Sequence, residues 1–154
     1  MKFSKGTAYA LHALIYMTRH ITQLPLPTNA IAKAEGIPPG YLAKIFQKLA
    51  KASIVKATTH QGRGYTFVHP PEQITLLDIF EVFEGKPLFD DCLLHHCQCD
   101  GTPENCTIYA QWHEATQKMI KTFSETTLAL TAWNHPEHRF DSHPDCPSKG
   151  ITSS

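Results

Sequence analysis

Residues 37–51 read IPPGYLAKIFQKLAK, and this stretch decides the fold. Pro38-Pro39 supplies the fixed φ that suits a helix start. Leu42, Ile45, Phe46 and Leu49 then follow at i, i+3, i+4 and i+7, so one face of a helix running to about Lys51 is apolar. Lys44, Lys48 and Lys51 repeat on another face, with Tyr41 and Gln47 nearby. Just upstream, Thr28 stands where it can cap a short helix through about Glu35, and Gly36 can end it. A short helix, a tight glycine-containing turn and a second helix with a basic outer face make a helix-turn-helix.

Working outward, Leu24–Pro27 breaks the pattern, and Phe3 to about His20 reads as the first helix. Its apolar face is Tyr9, Leu11, Leu14, Ile15 and Met17. His12 falls within it, where a packed histidine is the ordinary expectation and a ligand the alternative. On the other side, Ile54–Thr58 and Tyr65–Val68 have strand character around the glycine-rich tip His60-Gln61-Gly62-Arg63-Gly64. That is a hairpin where a winged helix-turn-helix carries its wing, and Arg63 sits where a tip enters the minor groove.

The predicted fold is therefore mainly α: a winged helix-turn-helix DNA-binding domain with a small β-hairpin wing, plus a long dimerisation helix. The expected partner is double-stranded DNA, read by the 39–51 helix in the major groove. Lys44 and Lys48 would touch phosphate, with Lys2, Thr28, His60 and Arg63 around them. Tyr41, Gln47 and the Pro38-Pro39 start are placed to meet base edges or sugar.

Charge follows the same division. The chain has no net charge, yet residues 1–69 carry nine Lys/Arg against the single acid Glu35, a net of +8, and the remainder carries −8. A basic half joined to an acidic half implies that the first half meets a polyanion.

The acidic half opens with Thr75-Leu76-Leu77-Asp78, a capping-box pattern with Asp in place of Glu/Gln. The helix it starts runs through Phe83 to Gly85, and Leu77, Phe80 and Phe83 are expected to pack on the winged domain. Residues 90–106, DDCLLHHCQCDGTPENC, hold four of the five cysteines: Cys92, Cys97, Cys99 and Cys106. Four thiols on a short loop suit a soft metal or a cluster, because thiolates select zinc, copper(I) or iron–sulfur centres. From Cys106 to about Trp133, Ile108, Trp112, Ala115, Met119 and Phe123 recur at helical spacing. One helix of that length would span about 40 Å, too long to be covered by so small a domain. A second copy of the chain is the natural cover, giving a homodimer with reading helices about 34 Å apart. The domains expected are 1–85 winged, 86–105 cysteine-rich loop, 106–133 dimerisation helix and 134–154 tail. Cys146 and the histidines of the tail are read as part of a flexible terminus.

Several classes are excluded or disfavoured. No apolar run approaches the roughly 20 residues of a membrane span, so no membrane partner is expected. An odd number of clustered cysteines without an export signal points to the cytoplasm rather than a secreted disulfide framework. No Gly-rich phosphate loop, nucleophile–base pair or apolar carboxylate pair announces an enzyme.

With these pieces assembled, the chain resembles the Rrf-two family of bacterial winged-helix regulators, the group that includes IscR, NsrR, RirA and RsrR. The likeness covers about residues 1–133 and rests on MKFSKGTAYALHALIYM, IPPGYLAKIFQKLAKASIV, GRGY, ITLLDIFEVFEG and the cysteine loop leading into a helix. The resemblance implies a 2Fe–2S or 4Fe–4S iron–sulfur cluster that senses iron, nitric oxide or redox state and alters operator binding by the dimer. It matches Cys92 to the first family ligand and Cys106 to the last, with Cys97 or Cys99 between them. Tyr109 stands where IscR-like members have a histidine ligand. The ALH of the opening looks most like the RsrR branch, which makes His12 a candidate ligand, although Ala8 replaces the acidic ligand of that branch. Ser53 stands where a helix-ending glycine is usual. Two alternatives keep the same thiols without a cluster: a cysteine-oxidation switch, or structural zinc. An iron–sulfur electron carrier is a third, with no use for a basic helix-turn-helix.

Overall fold

The computed structural model describes residues 3–59, 62–89 and 106–134. Helix α1 (Lys5–Arg19) begins at Ser4, whose hydroxyl accepts from the Thr7 amide at 3.3 Å. It buries Ala10, Ala13, Leu14 and Met17 completely. Helix α2 (Thr28–Glu35) is closed by Gly36 at φ 69°, the left-handed conformation expected there. Thr28 is not its cap. The helix starts instead from Pro27, whose carbonyl accepts from the Ala30 and Ile31 amides, and no side chain caps this end. The fixed φ of Pro27 presets the entry to the helix, while the first-turn amides have no side-chain acceptor.

Helix α3 (Pro39–Lys51) has Pro39 in its first turn, and Leu42, Ile45, Phe46 and Leu49 are its buried residues, the face read from the sequence. It ends in a Schellman arrangement: the Ser53 amide donates to Ala50 and the Ile54 amide to Leu49, both at 3.0 Å. Ser53 takes φ 59° to close it.

The wing is an antiparallel pair, β1 (Val55–Thr58) and β2 (Gly64–Phe67), in register from Val55 opposite Phe67 to Thr58 opposite Gly64. Leu26 docks on β2 through two reciprocal bonds, its amide to Tyr65 at 3.1 Å and the Tyr65 amide back at 2.9 Å. The segment before α2 thus holds the wing against the helix-turn-helix.

Helix α4 (Leu76–Glu84) carries the expected capping box, with Thr75 and Asp78 bonding reciprocally. Phe80 is buried, and Leu77 and Phe83 are half-buried, Phe83 against the core. Ile79, which the sequence reading did not single out, is the residue α4 buries completely.

The expected unbroken helix from Cys106 to about Trp133 is corrected. Helix α5 (Tyr109–Glu125) starts three residues later, with the Tyr109 amide on the Cys106 carbonyl at 3.2 Å. It stops at Thr126, where the backbone turns extended. There the Leu76 amide donates to Thr126 at 2.9 Å and the Leu128 amide to Ile74 at 2.7 Å. This backbone pairing beats helix continuation across two β-branched threonines. The chain is redirected into α6 (Leu128–Asn134), which packs on α1 and buries Leu128, Ala129 and Ala132. Arg19 Nε donates to the Ala132 carbonyl at 3.1 Å and fixes the contact. Helix α5 alone spans about 26 Å. No helix among the described residues is long and apolar enough to cross a membrane.

Candidate nucleic-acid interface and sensor segment

Helix periodicity sorts the exposed residues of α3. Gly40, Lys44, Gln47 and Lys51 fall opposite the buried face and are all exposed, so they form the outermost stripe. Tyr41 and Lys48, both nominated from the sequence, lie on the flank toward α1 and α4. The Tyr41 ring meets Tyr9 edge-on at 5.3 Å, and the Lys48 ammonium sits 5.6 Å from the centroid of the Phe83 ring. A cation over an aromatic face is held there, so Lys48 is less free than Lys44 to follow a phosphate. Pro38 and Pro39 are exposed at the leading end. Lys51, at the far end of the outer stripe, belongs with Lys44 and Gln47.

A shallow groove of about 470 Å³ runs between the start of α2 and the wing. It brings together Thr28, Arg63 and a residue the sequence reading missed, Asn29. The uncapped first turn of α2 opens beside them, and a helix N-terminus with an arginine opposite suits a phosphate. Only the α2–wing contact reveals Asn29, since nothing in its sequence neighbourhood sets it apart. Thr58 Oγ1 donates to the Gly62 and Gly64 carbonyls at 3.3 and 3.4 Å, bracing the base of the tip that carries Arg63. Lys2 and His60 lie outside the described residues.

The cysteine segment leaves α4 through an aromatic cluster. Phe3 stacks on Phe80 with centroids 4.5 Å apart, and Phe123 of α5 meets Phe80 edge-on at 4.7 Å. Phe89, the last described residue before the segment, lies 6.5 Å from Phe3 and 6.4 Å from Phe123, at φ 64°. Beside the cluster, Glu84 at the end of α4 accepts from the Ser4 amide at 2.7 Å and from the Thr7 hydroxyl. Partial burial alone would raise the Glu84 carboxyl. The Thr7 and Ser4 donors outweigh it and hold the carboxyl below its ordinary value.

Of the cysteines nominated as ligands, Cys106 is a half-buried free thiol just before α5. Cys92, Cys97 and Cys99 lie outside the described residues, and among the described residues no group of three or more metal-ligating side chains converges. His12 is placed in α1 with Nδ1 3.4 Å from Oε2 of Glu35, the side chains only 17% and 12% exposed. It therefore links α1 to the end of α2.

Comparison with known proteins agrees with this architecture. Residues 3–132 match the model of the Rrf2 family, described as an iron-dependent transcriptional regulator. A protein assigned as an HTH-type transcriptional regulator in Aquifex aeolicus (strain VF5) is 31% identical over 129 residues, covering 83% of this chain and 89% of that one. The HTH-type transcriptional regulator IscR of Vibrio atlanticus is 24% identical, over 83% of this chain and 73% of that one. Among solved structures, CymR, the global cysteine regulator of B. subtilis, superposes with a TM-score of 0.72 at 24% identity, covering 88% of this chain and 99% of that one. T. potens IscR does so at 0.68 and 22%, covering 90% and 94%. The helix-turn-helix, the wing and the family model converge: this chain belongs to the Rrf2 family of DNA-binding transcriptional regulators.

Proposed function

We propose that this regulator acts as a homodimer on double-stranded operator DNA and senses iron, nitric oxide or redox state through an iron–sulfur cluster on the Cys92–Cys106 segment. The observation that carries the reading is the position of that segment. It joins α4, packed on the reading head through Ile79, to α5, whose Phe123 meets Phe80, in a family described as iron-dependent. Cys92, Cys106 and one of Cys97 and Cys99 are the thiolate donors, with His12 or the remaining thiol as the fourth. This donor set suits a 2Fe–2S or 4Fe–4S cluster. When bound, the cluster supplies a thiolate–iron centre that oxidants and nitric oxide attack. The chain's own residues do the coupling: Phe89, Phe3, Phe80 and Phe123 link the start of the segment to α1, α4 and α5. Lys44, Gln47 and Lys51 meet the major groove, Thr28 and Asn29 meet backbone phosphate, and Arg63 at the wing reaches the minor groove beside them.

Homodimerisation is supported by α5, where Trp112, Met119 and Ile120, with Ile108 just before the helix, are half-buried along one side. A second copy would complete the cover of that side.

Anaerobic purification followed by native mass spectrometry tests the reading. The expected result is a brown dimer carrying iron and sulfide, whose operator affinity changes when air removes the cluster. Colourless protein without iron after reconstitution, or operator binding unaltered in Cys92→Ser and Cys106→Ser with and without air, overturns it.

A further inference from the structure

A cavity of about 490 Å³ opens between the base of the wing and α4, on a different side of the reading head from the groove at Arg63. Its volume lies within the range of small-molecule sites. The floor is apolar, formed by Ile54, Ile74 and Val82. At the rim, Glu81 Oε2 lies 3.4 Å from Lys86 Nζ, and the two differ in exposure. The Glu81 side chain is only 17% exposed, while that of Lys86 is 79% exposed. Asp78 also lines the cavity, but its Oδ2 already takes the Thr75 amide and hydroxyl.

These charges restrict the occupant. His69 and Gln73 also line the cavity; a simple anion would still face two carboxylates, and a simple cation would displace or meet the Lys86 ammonium. A purely apolar molecule would leave Glu81 and Lys86 paired with each other and gain nothing from the rim. A zwitterion satisfies both, its ammonium on the sheltered Glu81 carboxylate and its carboxylate on the exposed Lys86. The apolar floor then takes a short aliphatic side chain. We propose that this cavity binds a free α-amino acid with an aliphatic or thioether side chain as an effector.

The position gives such a ligand leverage over DNA reading. Ile54 donates the bond that closes the end of α3, and the Ile74 carbonyl holds Leu128 at the start of α6. An occupant would brace the end of the recognition helix against α4. The proposal does not depend on the cluster, because none of the residues involved is a thiol or His12.

The test uses the full-length protein, with calorimetric titration and thermal shift against L-leucine and L-methionine. Isoamylamine and 4-methylpentanoate serve as probes that lack one charge each. Saturable binding of an amino acid with a rise in Tm is expected, and either single-charge probe should bind at least about tenfold more weakly. Glu81→Gln should weaken binding about ten- to a hundredfold and Lys86→Met, whose ammonium is largely exposed, about two- to fivefold, while the ligand-free Tm stays nearly unchanged. No heat and no shift with either amino acid overturns the proposal. So does equal binding of the amine alone, or unaltered binding in both variants.

Discussion

Gly64 and Leu26 approach so closely that a β-carbon on Gly64 would stand 2.4 Å from the Leu26 carbonyl carbon and 2.5 Å from its oxygen. Both obstructing atoms are backbone, so no rotamer change relieves them. Gly64→Ala should therefore push β2 off Leu26 and weaken the bonds on either side of Tyr65, costing about 1–3 kcal/mol. Urea denaturation measures the loss. A change under about 0.5 kcal/mol would mean that the wing is not held in this way.

Ser53 makes the opposite forecast. It holds φ 59° at the end of α3, a conformation that costs an L-residue with a β-carbon roughly 1 kcal/mol. Ser53→Gly should stabilise the protein by about that amount, less the added chain entropy of glycine. A rise in Tm of about 1–2 °C, for a net gain of about 0.5 kcal/mol, is the readout, and a fall would show that the serine side chain contributes something beyond its backbone.

Lysines on α3 should separate by position. Lys44→Ala and Lys51→Ala should each lower operator affinity and reduce the salt slope by about 0.9. Lys48→Ala should change the slope less, because its ammonium already lies over Phe83. Gln47→Ala should alter sequence preference with little change in slope. Fluorescence anisotropy across a salt series, on the operator and on altered operators, distinguishes the four, and identical slopes for Lys44→Ala and Lys48→Ala would refute the outer-stripe assignment.

Glu84 carries a pH signature. Its carboxyl is held below the ordinary value of 4.5 in the folded protein. The stability it contributes is therefore complete above that ordinary value and is lost as pH falls through the lower folded one. Glu84→Gln should remove part of the acid-side loss, so that variant and parent converge at low pH. At neutral pH the variant should be less stable by about 1 kcal/mol, the lower end for a bond to a charged group that is partly exposed. Parallel stability–pH curves would exclude this role.

What could be read from the sequence was local. Pro38-Pro39, Gly36 and the spacing of Leu42, Ile45, Phe46 and Leu49 place α2 and α3, and β-branched runs around a glycine-rich tip place the wing. The same local signals miss relations made across the chain. No Gly or Pro marks the break at Thr126–Thr127, which comes from pairing with Ile74–Leu76. The flank positions of Tyr41 and Lys48 depend on Tyr9 and Phe83, which a helical wheel of α3 does not contain. Asn29 becomes a candidate only because Arg63 is folded over beside it.

The return of α6 to α1 also bears on how the protein is made. Leu128 and Ala132 fill the same core as Leu14 and Met17. A nascent polypeptide, released amino end first, exposes its recognition helix long before these plugs leave the ribosome. An amino-terminal fragment ending before Thr126 would lack the side chains that close this part of the core.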